Sequence, residues 1–250
     1  MSEDPMTTAT APPRVLPVSQ LSLAWFWTRF HTLRALRKPA TTLAIAGVVV
    51  MGLSLRVAGV APASGIVEFY LTLVLPLFAM FFGSGGLREE VEDQTLTYAF
   101  VRPIARGWVF AARTAAAAFV ALVPVAIGLV IAFDGPLVLL RNLAIAVLGA
   151  IAYTAVFAVV GLVMRRPTLL GLGIVAWEQV VGTVPGFLSR LTLRAHLRGL
   201  MELGGGDGLL GRLYRPPPWW ASLPTLLIVT ALVLAFGAWW VSRRELVVPK

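Results

Sequence analysis

The stretch Asn142–Met164, NLAIAVLGAIAYTAVFAVVGLVM, runs for 23 residues without a charged side chain. A bilayer hydrocarbon core of about 30 Å is crossed by roughly 20 apolar residues in a helix. The stretch is apolar on every side instead of on alternate residues, so it predicts a membrane-spanning helix and not a barrel strand. The whole chain of 250 residues is 58% hydrophobic and 13% charged, with a mean hydropathy of +0.83. The sequence predicts an all-α polytopic membrane protein.

Five further apolar segments accompany this stretch, which gives a predicted six-span domain over residues 39–242. Four of the five carry no charge, and one is interrupted once, by Glu178. The segments are Pro39–Leu55, Phe69–Leu87, Thr114–Phe133, Pro167–Ser189 and Pro216–Ser242. Paired tryptophans bracket the last of them at a separation of about 30 Å of helix, which matches the two interfacial belts of a membrane.

The placement of Lys and Arg predicts the orientation. With a cytoplasmic N-terminus, fourteen of the 21 basic residues fall on the cytoplasmic side and seven on the outer side, as the positive-inside rule requires. Both termini are then cytoplasmic, residues 1–18 form a disordered leader, and residues 243–250 form a tail. A five-span alternative, in which Pro167–Ser189 is re-entrant, would move Arg243 and Arg244 outside. The first apolar run begins near residue 40, too late for a cleaved signal peptide.

Several functions are excluded by what the sequence lacks. There is no cysteine and there are two histidines, His31 and His196, so thiolate chemistry and a histidine-based metal centre are excluded. No P-loop occurs, so the chain has no nucleotide site of that kind. The net charge of +9 lies mostly beside apolar segments, which favours anionic lipid headgroups over nucleic acid. We expect no catalytic residue, no cofactor and no metal.

Two segments of interest do not span the membrane: one precedes the predicted six-span domain, and the other lies within it. Residues 19–38 combine aromatic and basic side chains, which predicts a helix in the cytoplasmic interface. Residues 188–220 form the predicted outer loop. Within it Arg190, Arg194 and Arg198 recur every four residues beside a leucine stripe, which predicts an amphipathic helix on the outer surface. This segment is interpreted as a cap over the bundle or as an outward gate.

A third segment, residues 87–107, lies between the second and third predicted spans. It concentrates acidic side chains, and Pro103 ends any helix before it. The resulting short charged helix followed by a stiff turn is suited to passing force from a soluble partner. The residues in question are Glu89, Glu90, Glu92, Asp93, Thr95, Pro103 and Arg106.

The spacing Glu90-x4-Thr95, seven residues, then Pro103-Ile104-x-Arg106 resembles the cytoplasmic loop of the type-2 ABC export permeases. Two positions differ from that family's pattern: Gln94 replaces its glycine, and Arg113 replaces its lysine. The resemblance implies a permease subunit of a bacterial inner-membrane exporter. It also implies that the loop is a coupling helix that docks on a separate ATP-binding subunit, in an assembly of two permease subunits, identical or different, and two ATPases.

Glu178 and Gln179 are the remaining candidates, as residues of a translocation pathway or subunit interface. A charge at membrane depth costs roughly 2.5–3.5 kcal/mol on insertion scales and so faces protein or water. The alternative is a structural carboxyl group that is hydrogen-bonded to a neighbouring span.

Two other functions are open. One is an ATP-independent secondary carrier or structural membrane subunit, although no internal repeat is visible. The other is a membrane-embedded protease, suggested by Glu89-Glu90, but the arginine four residues after the pair and the required histidines are missing.

Overall fold

The protein is all-helical in the part of the chain that its computed structural model describes, residues 19–92, 105–164, 166–182, 184, 186–202 and 216–243. The predicted fold class is confirmed at that level. The elements are α1 (Gln20–Leu36), α2 (Pro39–Val57), α3 (Ala63–Phe69), a π-helical turn (Tyr70–Val74), α4 (Leu75–Glu92), α5 (Arg106–Ile131), α6 (Pro136–Val163), α7 (Pro167–Val181), a 3₁₀ turn (Leu188–Leu191), α8 (Leu193–Leu200) and α9 (Trp219–Arg243).

Five helical segments are long and apolar enough to cross a membrane, so the chain is a multi-pass membrane protein. The second of them joins α3, the π-helical turn and α4 into one rod. The five are Pro39–Val57, Ala63–Gly85, Arg106–Ile131, Pro136–Val163 and Trp219–Arg243. Most of them extend beyond the charge-free runs because polar residues at the ends continue the same backbone hydrogen bonding.

The remaining apolar segment, Pro167–Ser189, is not one continuous helix, so it is not among the five segments that are long enough to cross a membrane. Helix α7 ends at Val181 after 15 residues, a rise of about 22 Å, which is short of a full bilayer core. Gly182 follows as the C-cap, and Pro185 and Gly186 come next in the sequence. Proline disfavours helix at the residue before it, and Gly186 has a φ of +128°, so helical propagation stops there.

The core of the bundle is built by α4, α5 and α6, which meet through small residues. A Cβ placed on Gly161 of α6 would lie 2.4 Å from the carbonyl oxygen of Ser84 in α4. A Cβ on Gly83 would lie 3.1 Å from the Cβ of Phe157. Close helix approach at small residues is how spans associate in lipid, where apolar burial alone provides little drive.

Tyr70 ties the more peripheral α2 to this core. Its hydroxyl donates a hydrogen bond to the carbonyl of Val48 at 2.8 Å. Its ring fits between Gly52 of α2 and Gly128 of α5, where an added Cβ would lie within 2.1 and 2.3 Å of the tyrosine side chain. Tyr70 itself is fully buried.

Helix α1 packs along α5 through a small polar stripe and leaves its large aromatic side chains uncovered. Thr28 donates a hydrogen bond to the carbonyl of Ala112 in α5 at 3.3 Å. Next to it His31 is buried and stacks on Trp27 with ring centroids 5.2 Å apart. Burial, together with the positive charges of Arg113 and Arg34, lowers the pKa of His31 to about 3. In contrast, Trp25 is 62% exposed.

Four predicted regions lie wholly or largely outside the described residues. They are the leader 1–18, the stretch 93–104 of the coupling loop, the stretch 203–215 of the outer loop, and the tail after Arg243.

Candidate functional site

The most elaborate polar arrangement in the described residues lies where the end of α7 meets the start of α8. Glu178 is 6% exposed. Its Oε1 accepts a hydrogen bond from the backbone N–H of Leu193 at 3.0 Å, and its Oε2 accepts one from the N–H of Arg194 at 2.8 Å. The hydroxyl of Tyr153 in α6 donates to Oε2 at 2.9 Å. The carboxyl group therefore joins three helices.

The first N–H groups of a helix have no partner inside the helix and carry its positive dipole end, which favours a carboxylate. In α8 two of these groups are satisfied by Glu178. A third, the N–H of Ala195, donates to the Oγ1 of Thr192, the N-cap, at 3.2 Å. The start of α8 is thus capped once by a local threonine and once by a carboxylate from another helix.

Gln179 and Arg194 extend the arrangement toward the π-helical turn. The Gln179 amide Nε2 donates to the carbonyl oxygen of Thr72 within that turn. The Arg194 guanidinium donates through Nη1 to the backbone carbonyl of Gln179 at 3.0 Å and also to its side-chain oxygen. We call this set the Glu178 network; its members are Glu178, Gln179, Tyr153, Thr72, Arg194, Glu68 and Arg198.

Glu68 of α3 forms ion pairs with both arginines of α8. Its Oε1 lies 3.2 Å from the Nε of Arg198 and 3.8 Å from the Nη2 of Arg194. The two arginine side chains are 12% and 15% exposed, and Glu68 is 28% exposed. The arginines are four residues apart and share one face of α8. Arg190, predicted to belong to the same stripe, lies instead in the 3₁₀ turn.

Helix α8 does not lie on the outer surface as the sequence predicted. Ala195, His196, Leu197 and Gly199 are all buried. A Cβ on Gly149, in the middle of α6, would lie 3.2 Å from the Leu197 side chain. One on Gly199 would lie 2.1 Å from the carbonyl of Pro217, just before α9. Arg194 and Arg198 of α8 face Glu68 instead of solvent.

Glu178 and Tyr153 lie near half the depth of the bundle. Glu178 comes eleven residues after Pro167, a rise of about 17 Å. Tyr153 lies eleven residues before Met164, at the other side of the α6–α7 connection, which gives the same height. Half of a hydrocarbon core of about 30 Å is about 15 Å.

The candidate residues of the sequence therefore divide into two groups. Glu178 and Gln179 lie together and contact several partners. Glu178 makes the hydrogen bonds to neighbouring helices that its interpretation as a structural carboxyl group requires. Glu89, Glu90 and Glu92 lie in the last turns of α4, and Arg106 is the first residue of α5. Asp93, Thr95 and Pro103 lie outside the described residues.

The partners that sequence reasoning missed are Tyr153, Thr72 and the pairing of Glu68 with Arg194 and Arg198. A signal for the last was present. Glu68 is an acid at the edge of an apolar run, and arginines four residues apart next to apolar residues need an anion. Tyr153 and the carbonyl of Thr72 gave no signal because their roles depend on which helices become neighbours.

Chemically, this is a buried carboxyl group held by three donors and flanked by an ion-pair cluster of one carboxylate and two guanidinium groups. The described ranges contain no group of three or more histidine or acidic side chains placed to hold a metal ion. No protein-family model matches the sequence, and a search of curated proteins finds no match.

Proposed function

We propose that the chain is the membrane permease subunit of an ABC-type exporter in the bacterial inner membrane. ATP hydrolysis takes place on a separate ATP-binding subunit. The functional unit contains two permease subunits, identical or different. The observation that carries the proposal is the loop pattern Glu90-x4-Thr95, then Pro103-Ile104-x-Arg106, located between the second and third long apolar segments.

The helix ends around this loop support a docking role. The apolar part of the second segment ends at Gly85, whereas α4 continues to Glu92, about 10 Å further. The chain returns at Arg106, the first residue of α5. The N–H of Ala105 donates to the side-chain oxygen of Gln20 at 3.4 Å, so α1 begins at the same end. The end of α4 carries Glu89, Glu90 and Glu92, and together with the aromatic-rich α1 it would offer a surface to a soluble ATPase.

Six crossings with both termini in the cytoplasm complete the proposal. The distribution of Lys and Arg favours this orientation. The fifth crossing is then discontinuous: α7 covers the inner part, and α8 lies in the outer part after a break. The Glu178 network closes that break. Irregular backbone at membrane depth is tolerated where protein or a water-filled cavity surrounds it. Val184, Phe187 and Leu188 are exposed in the single chain, so the second permease subunit would have to cover them.

In this mechanism the ATPase subunits push on the α4–α5 loop when they close. Because α4, α5 and α6 form the core, the movement reaches the break between α7 and α8 through Tyr153 and Glu178. Glu178 is the one charged residue within the predicted spans, which favours an amphipathic or lipid-like cargo over a strongly polar one.

The test is co-purification with an ATPase encoded beside this chain, together with ATP-dependent transport. Glu90→Arg combined with Arg106→Glu should abolish both. The matched control is Arg141→Glu combined with Glu202→Arg, which reverses an exposed ion pair at the opposite end of the bundle and should leave association intact. Retained association and transport in the first double variant would refute the coupling role.

A second candidate, an ATP-independent secondary carrier, is favoured by one observation. Secondary carriers commonly place broken helices at mid-membrane, with helix N-termini at the binding site, and the contact of Glu178 with the start of α8 has that form. Transport that persists without any ATPase, follows an ion gradient and is lost in Glu178→Gln would favour this candidate.

A further inference from the structure

A cavity of about 190 Å³ lies at the end of the bundle that carries Trp219. On the same measure one water molecule needs roughly 10–15 Å³, so the space admits a larger group. It is enclosed by α3, the end of α5, the start of α6 and Met201 just after α8. Its lining includes the apolar residues Val67, Leu129 and Met201 and the polar residues Asp134, Arg141 and Asn142.

Asn142 is the first indication that the cavity holds a ligand. The residue is 5% exposed and its side chain lines the cavity. Among the residues that the structure describes, none forms a hydrogen bond with this amide. The amide is not among the fully enclosed side-chain atoms that lack a partner, so it is reached from the cavity that it lines. A hydrogen-bonding group inside the cavity can therefore pair with it.

The lining of the cavity carries charges of both signs, at Asp134 and Arg141. Asp134 is exposed and has no ion-pair partner within the described ranges. Arg141 uses one guanidinium nitrogen for Glu202, with Nη1 3.3 Å from the carboxylate. A guanidinium has five N–H donors, so donors are left for a second anion. The lining therefore offers an acceptor for a cation and a donor for an anion.

The position of the cavity indicates where such a ligand comes from. Gly199 of α8 contacts the backbone of Pro217, and Met201 follows two residues later, so the cavity lies level with Trp219 and Trp220. Paired tryptophans at a helix end mark the depth of lipid headgroups. Apolar lining residues together with charged ones at that depth suit a molecule with acyl chains, whereas a free polar solute has no use for the apolar ones.

We propose that this cavity binds a phospholipid whose headgroup carries a primary ammonium. The ammonium donates to the Asp134 carboxylate, the phosphate lies against Arg141, and the amide of Asn142 donates to an ester or phosphate oxygen. The acyl chains leave past Phe133, which lines the cavity and is exposed at the surface of the bundle. This inference requires only that the bundle lies in a membrane and is independent of the proposed exporter function.

The experiment uses the purified full chain in detergent and follows thermal unfolding by tryptophan fluorescence. The probes are short-chain phosphatidylethanolamine, phosphatidylcholine and phosphatidylglycerol, and free phosphoethanolamine. The ethanolamine lipid should raise Tm and bind at least about tenfold more tightly than the choline lipid, because the quaternary ammonium has no N–H for a charge-assisted hydrogen bond. The glycerol lipid and free phosphoethanolamine should bind more weakly still.

Variants assign the effect to residues. Asp134→Asn, at an exposed position, should remove the preference for ethanolamine over choline. Asn142→Leu has a similar volume and should weaken all the lipids, and Asn142→Ala tests the same amide where the leucine variant does not fold. Arg141→Gln should weaken binding about tenfold, while Arg56→Gln, an exposed arginine of α2, should leave it unchanged.

Three results would overturn the proposal. They are equal binding of the three lipids, free phosphoethanolamine binding as tightly as the lipid, and an unchanged ethanolamine preference in Asp134→Asn.

Discussion

Replacing Glu178 with alanine removes the acceptor for three buried donors at once. These are the N–H groups of Leu193 and Arg194 and the hydroxyl of Tyr153, at 2.8–3.0 Å. A buried donor left without a partner costs about 1–3 kcal/mol. Water that enters the vacated space recovers part of this, so we expect α8 to lose about 3–5 kcal/mol of stability relative to its detached state.

The absence of cysteine in the natural chain makes a direct assay available. Ala195 of α8 is fully buried, and Ala195→Cys introduces the only thiol. Its rate of reaction with a maleimide reports how often α8 detaches. Since about 1.4 kcal/mol corresponds to a factor of ten, Glu178→Ala should raise that rate at least about hundredfold.

A graded series separates the hydrogen bonds from the volume of the side chain. Glu178→Gln keeps one acceptor oxygen but sets its NH₂ against a backbone N–H, so its rate should lie between the wild-type rate and that of the alanine variant. Tyr153→Phe removes one of the three donors, and Oε2 of Glu178 keeps the hydrogen bond from the N–H of Arg194. This variant should therefore raise the rate by about tenfold or less. The control is Glu202→Ala, because its ion pair with Arg141 is exposed and contributes about 0–1 kcal/mol.

The reasoning would be refuted by a thiol labelling rate in Glu178→Ala within about threefold of the wild-type rate. It would also be refuted by an equal increase in Glu202→Ala, which would indicate a general response to loss of negative charge.

Three further predictions concern the rest of the bundle. Gly161→Ala brings a Cβ to 2.4 Å from the Ser84 carbonyl and should lower Tm, whereas Gly173→Ala, with nothing within 4 Å, should leave it unchanged or raise it slightly; equal shifts would contradict tight α4–α6 packing. The lowered pKa of His31 means that the folded state binds its proton only near pH 3 and the unfolded state near 6.5, so stability is full above about pH 6.5 and falls below it. His31→Gln should flatten that slope in unfolding measured from pH 7.5 to 4.5, and an unchanged slope would exclude His31 as its cause. Glu68→Gln and Arg198→Gln should each destabilise the protein and be non-additive by about 1–3 kcal/mol in a double-mutant cycle; additivity would show that the pair is uncoupled.

The long apolar helices were accessible from sequence because each needs only its own residues. In a stretch such as Asn142–Met164 the backbone hydrogen bonds are made within the helix, and every face of the helix is apolar. It therefore forms in lipid or against protein, whichever helices become its neighbours. The ends of the helices were less accessible. Helix α5 begins at Arg106, eight residues before the predicted Thr114, because charged residues continue a helix as readily as apolar ones do at the membrane surface.

The break after α7 was only partly accessible. Gly182 and Pro185 are visible breakers, but the hydropathy of the segment to Ser189 outweighed them in the prediction. The candidate site followed the same pattern: Glu178 and Gln179 were identified because a polar pair in an apolar run is costly. The partners of these two residues could not be predicted from the sequence, since Thr72, for example, lies more than a hundred residues earlier in the chain.

Taken alone, the sequence determined the all-helical class, the membrane location and the residues whose charge had to be neutralised. These depend on local composition and on the cost of polar groups in hydrocarbon. Only the tertiary structure decided that α8 inserts beside α6 and α9, that Glu178 caps it, and that Arg194 and Arg198 turn toward Glu68. Those outcomes depend on which helices pack together, because a buried charge specifies that it needs a partner but not which one.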